Sequence, residues 1–272
     1  MLPKPGSWGP QYGATFSEQS VVDAYPYRPP YPEEVFDVLA GLVVDAPRAV
    51  LDVGCGMGDI ARLLAPRADR LDAVDRSLLM IERGKRLPGG DAPTLTWTHG
   101  MVETAPLAPP YALITAGESL HWLTWEAVFP RFVQVLTPRG VLAIIDRNWD
   151  HSAAVRERLH PIFQQVSTDR DYRPYNLLDE LTRRGLFQQL GEQRTRPEPW
   201  RPSVDEYLAC RHSQQSFSRE RMGQAQAAAF DVAVRAALEE LQQAGELEMH
   251  DGRLDLTVEA AIVWGTPRYP YA

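Results

Sequence analysis

Cysteine is scarce in this 272-residue chain: there are two, Cys55 and Cys210. Two thiols build no disulfide framework, and Cys55 stands inside a glycine-rich turn, a poor place for a bridge. The expected setting is therefore a reducing one, the cytoplasm. Long apolar runs are also missing. No stretch reaches the ~18 residues that suggest a membrane span, and the opening MLPKPGSWGPQYG has no apolar run after Lys4 to act as a secretory signal. Positive charge is short as well, with 28 Lys and Arg against 36 Asp and Glu, a net charge of −8. A duplex nucleic-acid binder needs a basic stripe, and the densest basic stretch here, Arg194 to Arg201, is broken by prolines. Internal repeats are absent. The expected partners are thus a small molecule, with no nucleic acid and no membrane, and the expected assembly is a monomer or homodimer.

What is present is an ordinary globular composition, 44% hydrophobic and 24% charged. A chain of this length can bury a core without disulfides or structural metal. Residues 1–32 are rich in Pro, Gly and Tyr, with one short helix expected over 17–25. Helical spacing of Val35, Phe36, Leu39, Leu42 and Val43 predicts a helix over 33–43, with Glu33 and Glu34 in its first turn. Short apolar runs then alternate with helical patterns. Strands are expected at 49–53, 71–74, 95–98, 112–116 and 141–146. Helices are expected at 60–65, from the Ser77 cap to 86, and at 125–136. This alternation predicts a parallel sheet covered on both faces. Residues 151–245 read as a mainly helical insert, and 246–264 as an antiparallel hairpin around Asp251-Gly252, a favoured turn pair. The division is a cap at 1–32, a core at 33–150, a lid insert at 151–245 and a closing hairpin at 246–272.

The segment Leu51-Asp52-Val53-Gly54-Cys55-Gly56-Met57-Gly58 closes the first strand and opens a helix. Glycines allow a tight turn and close ligand approach, and a helix start offers free N–H groups. The dinucleotide fingerprint G-x-G-x-x-G would place its third glycine at position 59, which is Asp. The glycines alternate instead, and Asp52 precedes them, which suits a cationic ligand better than a pyrophosphate. Asp75 ends the second strand, near the ~20-residue spacing at which an acid meets ribose hydroxyls. Together these features indicate a nucleoside cofactor.

The run VLDVGCGMGDIARLLA resembles motif I of the class I S-adenosylmethionine-dependent methyltransferases. Asp75-Arg76-Ser77-Leu78-Leu79-Met80 resembles the family's acidic ribose loop, and His99-Gly100-Met101-Val102-Glu103 its adenine segment. The resemblance covers residues 33–147 and, more loosely, the last hairpin. It implies S-adenosyl-L-methionine as cofactor on a Rossmann-like, doubly wound, seven-stranded α/β sheet. That sheet would be mostly parallel, with an antiparallel C-terminal hairpin and a helical lid. It further implies that Gly54, Cys55, Gly56 and Gly58 pass close to the methionine portion, with Asp52 near its amino group or bracing the loop. Asp75 and Arg76 serve the ribose side, and Gly100, Met80, Met101 and Val102 the adenine. Ala116 and Gly117 complete the cofactor wall. The family often has Asp where Met101 stands, so the adenine amino group is left to Glu103 or water. No metal ligand is implied.

Ligands of doubly wound sheets lie beyond the carboxyl ends of the strands, which places Thr115 to Trp122 at the methyl-transfer pocket. His121 is the candidate base, because its unperturbed pKa of ~6.5 suits proton removal near neutrality. A packing role for the His121-Trp122 pair is the alternative. Methyl transfer from a sulfonium is an in-line displacement with a good leaving group, so positioning can supply much of the catalysis. The His-Trp pair and the segment Tyr25-Pro26-Tyr27-Arg28-Pro29-Pro30-Tyr31-Pro32 resemble a small-molecule branch that includes trans-aconitate methyltransferase-like members. Tyr25, Arg28, Glu118, His121, Trp122, Arg147 and Trp149 are the expected acceptor contacts, with Arg28 suited to a carboxylate. Ala108-Pro109-Pro110-Tyr111 precedes its strand and begins with Ala, so it is a loop and not the Asn-Pro-Pro-Tyr motif of nucleic-acid or protein amino methylation. The aromatic residues Tyr172, Tyr175, Trp200, Tyr207 and Phe217, with His212, are spread through the insert, and core packing is expected for most. Two rivals stand beside methyl transfer: a non-methylating enzyme on the same fold, and a cofactor-binding protein without turnover.

Overall fold

The computed structural model describes residue 4, residue 8 and residues 13–149, 152–167 and 175–269. Tyr172 lies outside them. Five parallel strands alternate with helices: β1 (Ala49–Val53), β2 (Arg70–Asp75), β3 (Leu95–His99), β4 (Tyr111–Gly117) and β5 (Leu136–Asn148). Two more strands complete the main path, β6 (Phe187–Arg194) and the last strand of the chain, Leu256–Pro267. The order across the sheet is β3-β2-β1-β4-β5, then the last strand, then β6. The last strand runs antiparallel to both of its neighbours. A short strand, β7 (Glu198–Trp200), pairs with the start of the last strand.

Strands β1 and β4 are buried end to end except for Gly117, as strands covered on both faces must be. One apolar layer packs Phe129, Phe132, Trp125 and Leu181 under the sheet; the other packs Val35, Phe36, Leu39 and Leu64 over it. The first layer receives α5 (Trp125–Val135) and the second α2 (Glu33–Leu42), close to the helices read from periodicity. The helix after β2, α4 (Leu78–Gly84), begins at the expected cap, where Ser77 Oγ accepts the Met80 N–H at 3.3 Å. The 17–25 helix is shorter than expected: α1 spans Gln19–Ala24, with single 3₁₀ turns before and after it.

The antiparallel edge is assembled differently from the expectation. The 246–264 hairpin separates into two features. Asp251 and Gly252 do turn with positive φ, 51° and 73°. They join only the two-residue strands β8 (Met249–His250) and β9 (Arg253–Leu254), a sheet of their own. The partner of the last strand is β6, inside the stretch that reads as helical. Its sequence FQQLGEQR is polar on both faces because it is an outer strand with most positions exposed, so no apolar alternation marks it. Of the helices in the 151–245 stretch, Leu177–Arg183 packs Leu181 under the sheet, and the others gather around a separate apolar cluster that includes Trp149, Val155, Tyr207, Phe230 and Leu238. The basic stretch is neutralised where it lies: Arg194 faces Glu259, Arg196 faces Glu34, and Arg201 pairs with Asp255. No helix among the described residues is long and apolar enough to cross a membrane.

Candidate functional site

The floor of the site is the carboxyl end of β1, β2 and β4. Gly54, Gly56 and Gly58 all have positive φ, 65°, 56° and 74°, the region glycine tolerates. A side chain at Gly54 would also strike Ser119, whose Cβ would lie 2.6 Å from the added carbon. Ser119 holds that place by donating its Oγ hydrogen to Val53 O at 2.6 Å. Asp75 pins the turn from the next strand. Its two carboxylate oxygens accept the N–H of Gly56 and of Ser77, each at 2.7 Å. Each oxygen keeps a second lone pair for a ligand hydroxyl. Burial nonetheless pushes the Asp75 carboxyl up, with the two N–H groups opposing.

A cavity of about 700 Å³, partly open to solvent, lies above this floor. Of the expected cofactor residues, Gly54, Gly56, Asp75, Arg76, Met80, Gly100, Met101, Val102 and Gly117 line it. A smaller cavity of about 250 Å³ adjoins it, lined by Asp52, Cys55, Tyr31, Asp59, Ile60 and Arg147. Tyr25, Gly54 and Gly117 belong to both walls. Two expected residues face neither. Gly58 packs beside Trp97, and Ala116 is fully buried in the lower apolar layer, because alternate residues of a strand point to opposite faces. Asp52 is buried and accepts the Thr115 hydroxyl at 2.8 Å. Burial, with Asp75 nearby, raises its carboxyl to about 7. The Cys55 thiol is pushed up by burial as well and is chemically quiet.

One polar atom in the larger cavity stands out. Glu103 Oε1 accepts the Thr124 N–H at 2.8 Å, and Oε2 is buried with no hydrogen-bond partner among the described residues. A buried acceptor without a donor is costly, and a ligand N–H would relieve that cost.

Around the acceptor side, Tyr25, Arg28, Glu118 and Trp122 line the larger cavity and Arg147 the smaller. Glu118 is held in the left-handed region at φ 49°, an uncommon conformation for a side chain of this size. It sits between two guanidiniums, with Arg147 Nη2 donating to Oε2 at 2.6 Å and Arg28 Nη1 at 3.5 Å. Burial alone would raise Glu118, but Arg147 and Arg28 outweigh it and hold the carboxyl below the usual range. Arg147 also donates to Pro29 O at 2.7 Å and lies over the Tyr31 ring at 4.2 Å.

His121 and Trp149 line neither cavity. The His121 ring packs against Trp8 and Trp122, with centroids 5.0 and 4.3 Å away. Burial lowers its pKa to about 4, so it is neutral at pH 7. Trp149 joins the apolar cluster of the later helices. Trp200, Tyr207 and Phe217 also pack in that cluster. His212 bonds Phe217 O and Asp231 Oδ1, each at 2.7 Å. Tyr175 packs against Trp8 at 4.8 Å.

Sequence reasoning did not place Gly13, Phe16, Leu123, Tyr31 or Asp59 at the site, whereas Ser119, within the Thr115 to Trp122 segment, does line the larger cavity as expected. Gly13 and Phe16 come from the Pro- and Gly-rich start of the chain, which carries no periodic signal. Leu123 was within reach, since it directly follows that segment.

Comparison with known proteins agrees with this geometry. Residues 50–140 match the family described as "Methyltransferase domain". A trans-aconitate 2-methyltransferase of Yersinia pestis (strain Pestoides F) is 32% identical over 111 residues, 40% of this chain and 42% of the relative. A malonyl-(acyl-carrier protein) O-methyltransferase of Anoxybacillus flavithermus is 40% identical over 85 residues, 30% of this chain and 32% of the relative. The chain thus spans well under half the length of these curated relatives. Among solved structures, a provisionally assigned type II methyltransferase from Anaeromyxobacter dehalogenans superposes with TM-score 0.61 at 23% identity, covering 89% of this chain and 99% of that one. A methyltransferase from Thiobacillus denitrificans does so with TM-score 0.50 at 15% identity, covering 92% and 97%. The likeness to these structures covers most of the chain, and the family match falls on residues 50–140, which include the strands and turns that build the floor. At residues 50–140, the stretch that builds the floor, the chain is similar to the methyltransferase domain family.

Proposed function

We propose that this protein transfers a methyl group from S-adenosyl-L-methionine to a small-molecule acceptor. The observation that carries this reading is the fit of the two joined cavities to the donor. The larger offers Asp75 for ribose hydroxyls, Met80 and Met101 as flat apolar walls, and the unpartnered Glu103 Oε2 for the adenine amino group. The smaller offers Asp52 to the ammonium end, and Arg147 is the cation on its wall for the carboxylate. When bound, the sulfonium supplies an electrophilic methyl and a neutral leaving group. The chain's own residues orient the donor, keep water out and position the acceptor.

The cation available to an anionic acceptor is Arg28, which lines the larger cavity and ion-pairs with Glu118 at 3.5 Å; Arg147 already faces both Glu118 and Asp59. The two relatives named above act, by name, on trans-aconitate and on a malonyl thioester, both carboxylates. A carboxylate acceptor is already ionised at neutral pH and needs no base, in keeping with a His121 ring that lines neither cavity and packs between Trp8 and Trp122. The acid balance of the chain supports action without nucleic acid, and its scarce cysteine a reducing, cytoplasmic setting.

Calorimetry with S-adenosylmethionine tests the donor site, and absence of binding by the folded protein would sink the reading. Incubation with methyl-labelled donor and trans-aconitate or a malonyl thioester tests the acceptor class. Tight donor binding with no labelled product from any acceptor would leave a binding protein without turnover.

A further inference from the structure

The roof of the larger cavity is held by residues far along the chain. Residues 13–28 supply Gly13, Phe16, Tyr25 and Arg28 to the wall. Inside this stretch lies α1, six residues long, too short to persist on its own helical bonding. Its apolar face rests on the floor, where Val21 and Val22 meet Met57 and Met80. Met80 is itself a cavity residue, so the seat of α1 sets one wall of the donor site.

Polar anchors come from residues 213–220. At the start of α1, Glu220 receives both hydrogens of Ser20. The backbone N–H donates to Oε1 at 3.1 Å and the hydroxyl to Oε2. The favour is returned next door, where Ser218 Oγ donates to Glu18 Oε2 at 2.8 Å. At the other end, Arg28 donates Nε–H to Ser213 Oγ and Nη2–H to Ser213 O, each at 2.8 Å. The roof is therefore clamped at both ends by one short stretch; ahead of α1, Phe16 O also accepts the Ser77 hydroxyl at 2.8 Å and the Phe16 ring lies 5.7 Å from that of Trp122.

We infer that Glu220 is a positioning residue for the donor site: through Ser20 and α1 it holds the roof down and so sets how fast a bound donor leaves. This rests on the donor-site reading given above. Glu220 touches neither cavity wall, so its effect must pass through α1. Removing its carboxylate frees the start of α1 while leaving the floor, Asp75 and the glycine turn as they are. The signature is a change in dissociation with little change in association, because an opened roof does not obstruct entry.

The test uses the full chain with Glu220→Ala, Glu220→Asp and Ser20→Ala. Stopped-flow dissociation of S-adenosylhomocysteine, read through tryptophan emission, is expected to be about tenfold faster in Glu220→Ala, partly restored in Glu220→Asp and intermediate in Ser20→Ala. Hydrogen exchange in the ligand-free protein is expected to rise about tenfold at residues 19–24 and to stay unchanged in β1, β2 and β4. Wild-type dissociation together with wild-type exchange at residues 19–24 in Glu220→Ala overturns the inference, as does exchange that rises uniformly across the sheet. If the wild-type protein binds no S-adenosylhomocysteine, it is the donor-site reading that fails, and the exchange arm still decides whether Glu220 holds the roof.

Discussion

Floor and roof of this site are built by different means. The floor is local: β1, its glycine turn and the Asp75 that pins it lie within residues 49–77, and each member is fixed by a hydrogen bond to a near neighbour in the sheet. The roof is long-range. Arg28 is set by Ser213, Ser20 by Glu220, and Glu118 by two arginines from opposite ends of the core. The floor recognises a donor common to a whole family, which a short rigid motif can do. On the function proposed above the roof meets the acceptor, and contacts between distant segments can change there without disturbing the sheet.

The largest effect should come from the roof's ionic centre. Glu118→Ala leaves Arg147 buried with its principal counter-charge gone, and loss of one partner of a buried pair costs about 3–5 kcal/mol. Chemical denaturation should show that loss; a variant as stable as wild type would show that Asp59 and solvent suffice for Arg147 and that the centre is not structural. The next test separates the acceptor classes. His121→Ala should leave transfer to a carboxylate nearly unchanged, since the ring lines neither cavity; a loss of about 10²-fold confined to a protonated acceptor would instead make it the general base. Equal slowing of both would make the ring a packing element between Trp8 and Trp122.

On the floor, Asp75→Ala should weaken donor binding by about 1–3 kcal/mol, the scale of lost bonds to a charged group, with acceptor KM little altered. Unchanged donor affinity in calorimetry would remove the ribose role and leave Asp75 as a brace of the glycine turn. A smaller effect follows from Asp52. Its carboxyl, raised to about 7 by burial, keeps a proton that the unfolded chain gives up near pH ~4. Native protein therefore binds more protons than unfolded protein between those values, and the stability of the free protein falls as pH rises from about 4 to about 7. A cationic ammonium prefers the ionised form, so donor binding should tighten with rising pH and level off above about 7. Below that point the dissociation constant should rise by up to about tenfold per pH unit, with a proton released on binding. Asp52→Asn should flatten both profiles. A wild-type profile that is already flat would place the ammonium elsewhere.

The sites legible in the sequence share a property. Gly54, Gly56 and Asp75 were identifiable because their roles depend on backbone conformation and on spacing along one β-α-β unit, which a linear pattern can carry. Ser77 as a helix cap is of the same kind. Gly58 and Ala116 match the motif but face away from the cavities, since neighbours in a strand or turn point in different directions. Phe16 and Tyr31 could not be ranked as cavity residues, because nothing local distinguishes an aromatic that roofs a pocket from one that lies on a surface.

By itself, the sequence determined the alternation of strands and helices, the donor-binding turn and the acid that completes it. These follow from hydrophobic period, glycine conformation and spacing, all properties of near neighbours. Only the tertiary structure decided that polar β6 is the outer strand beyond the last strand, that Glu118 is spent between Arg28 and Arg147, and that Glu220 holds the first helix. Each of these is a pairing across a long stretch of chain. Its partner is chosen by the packed sheet and helices, which bring the two segments together, and neither segment carries a mark of the other.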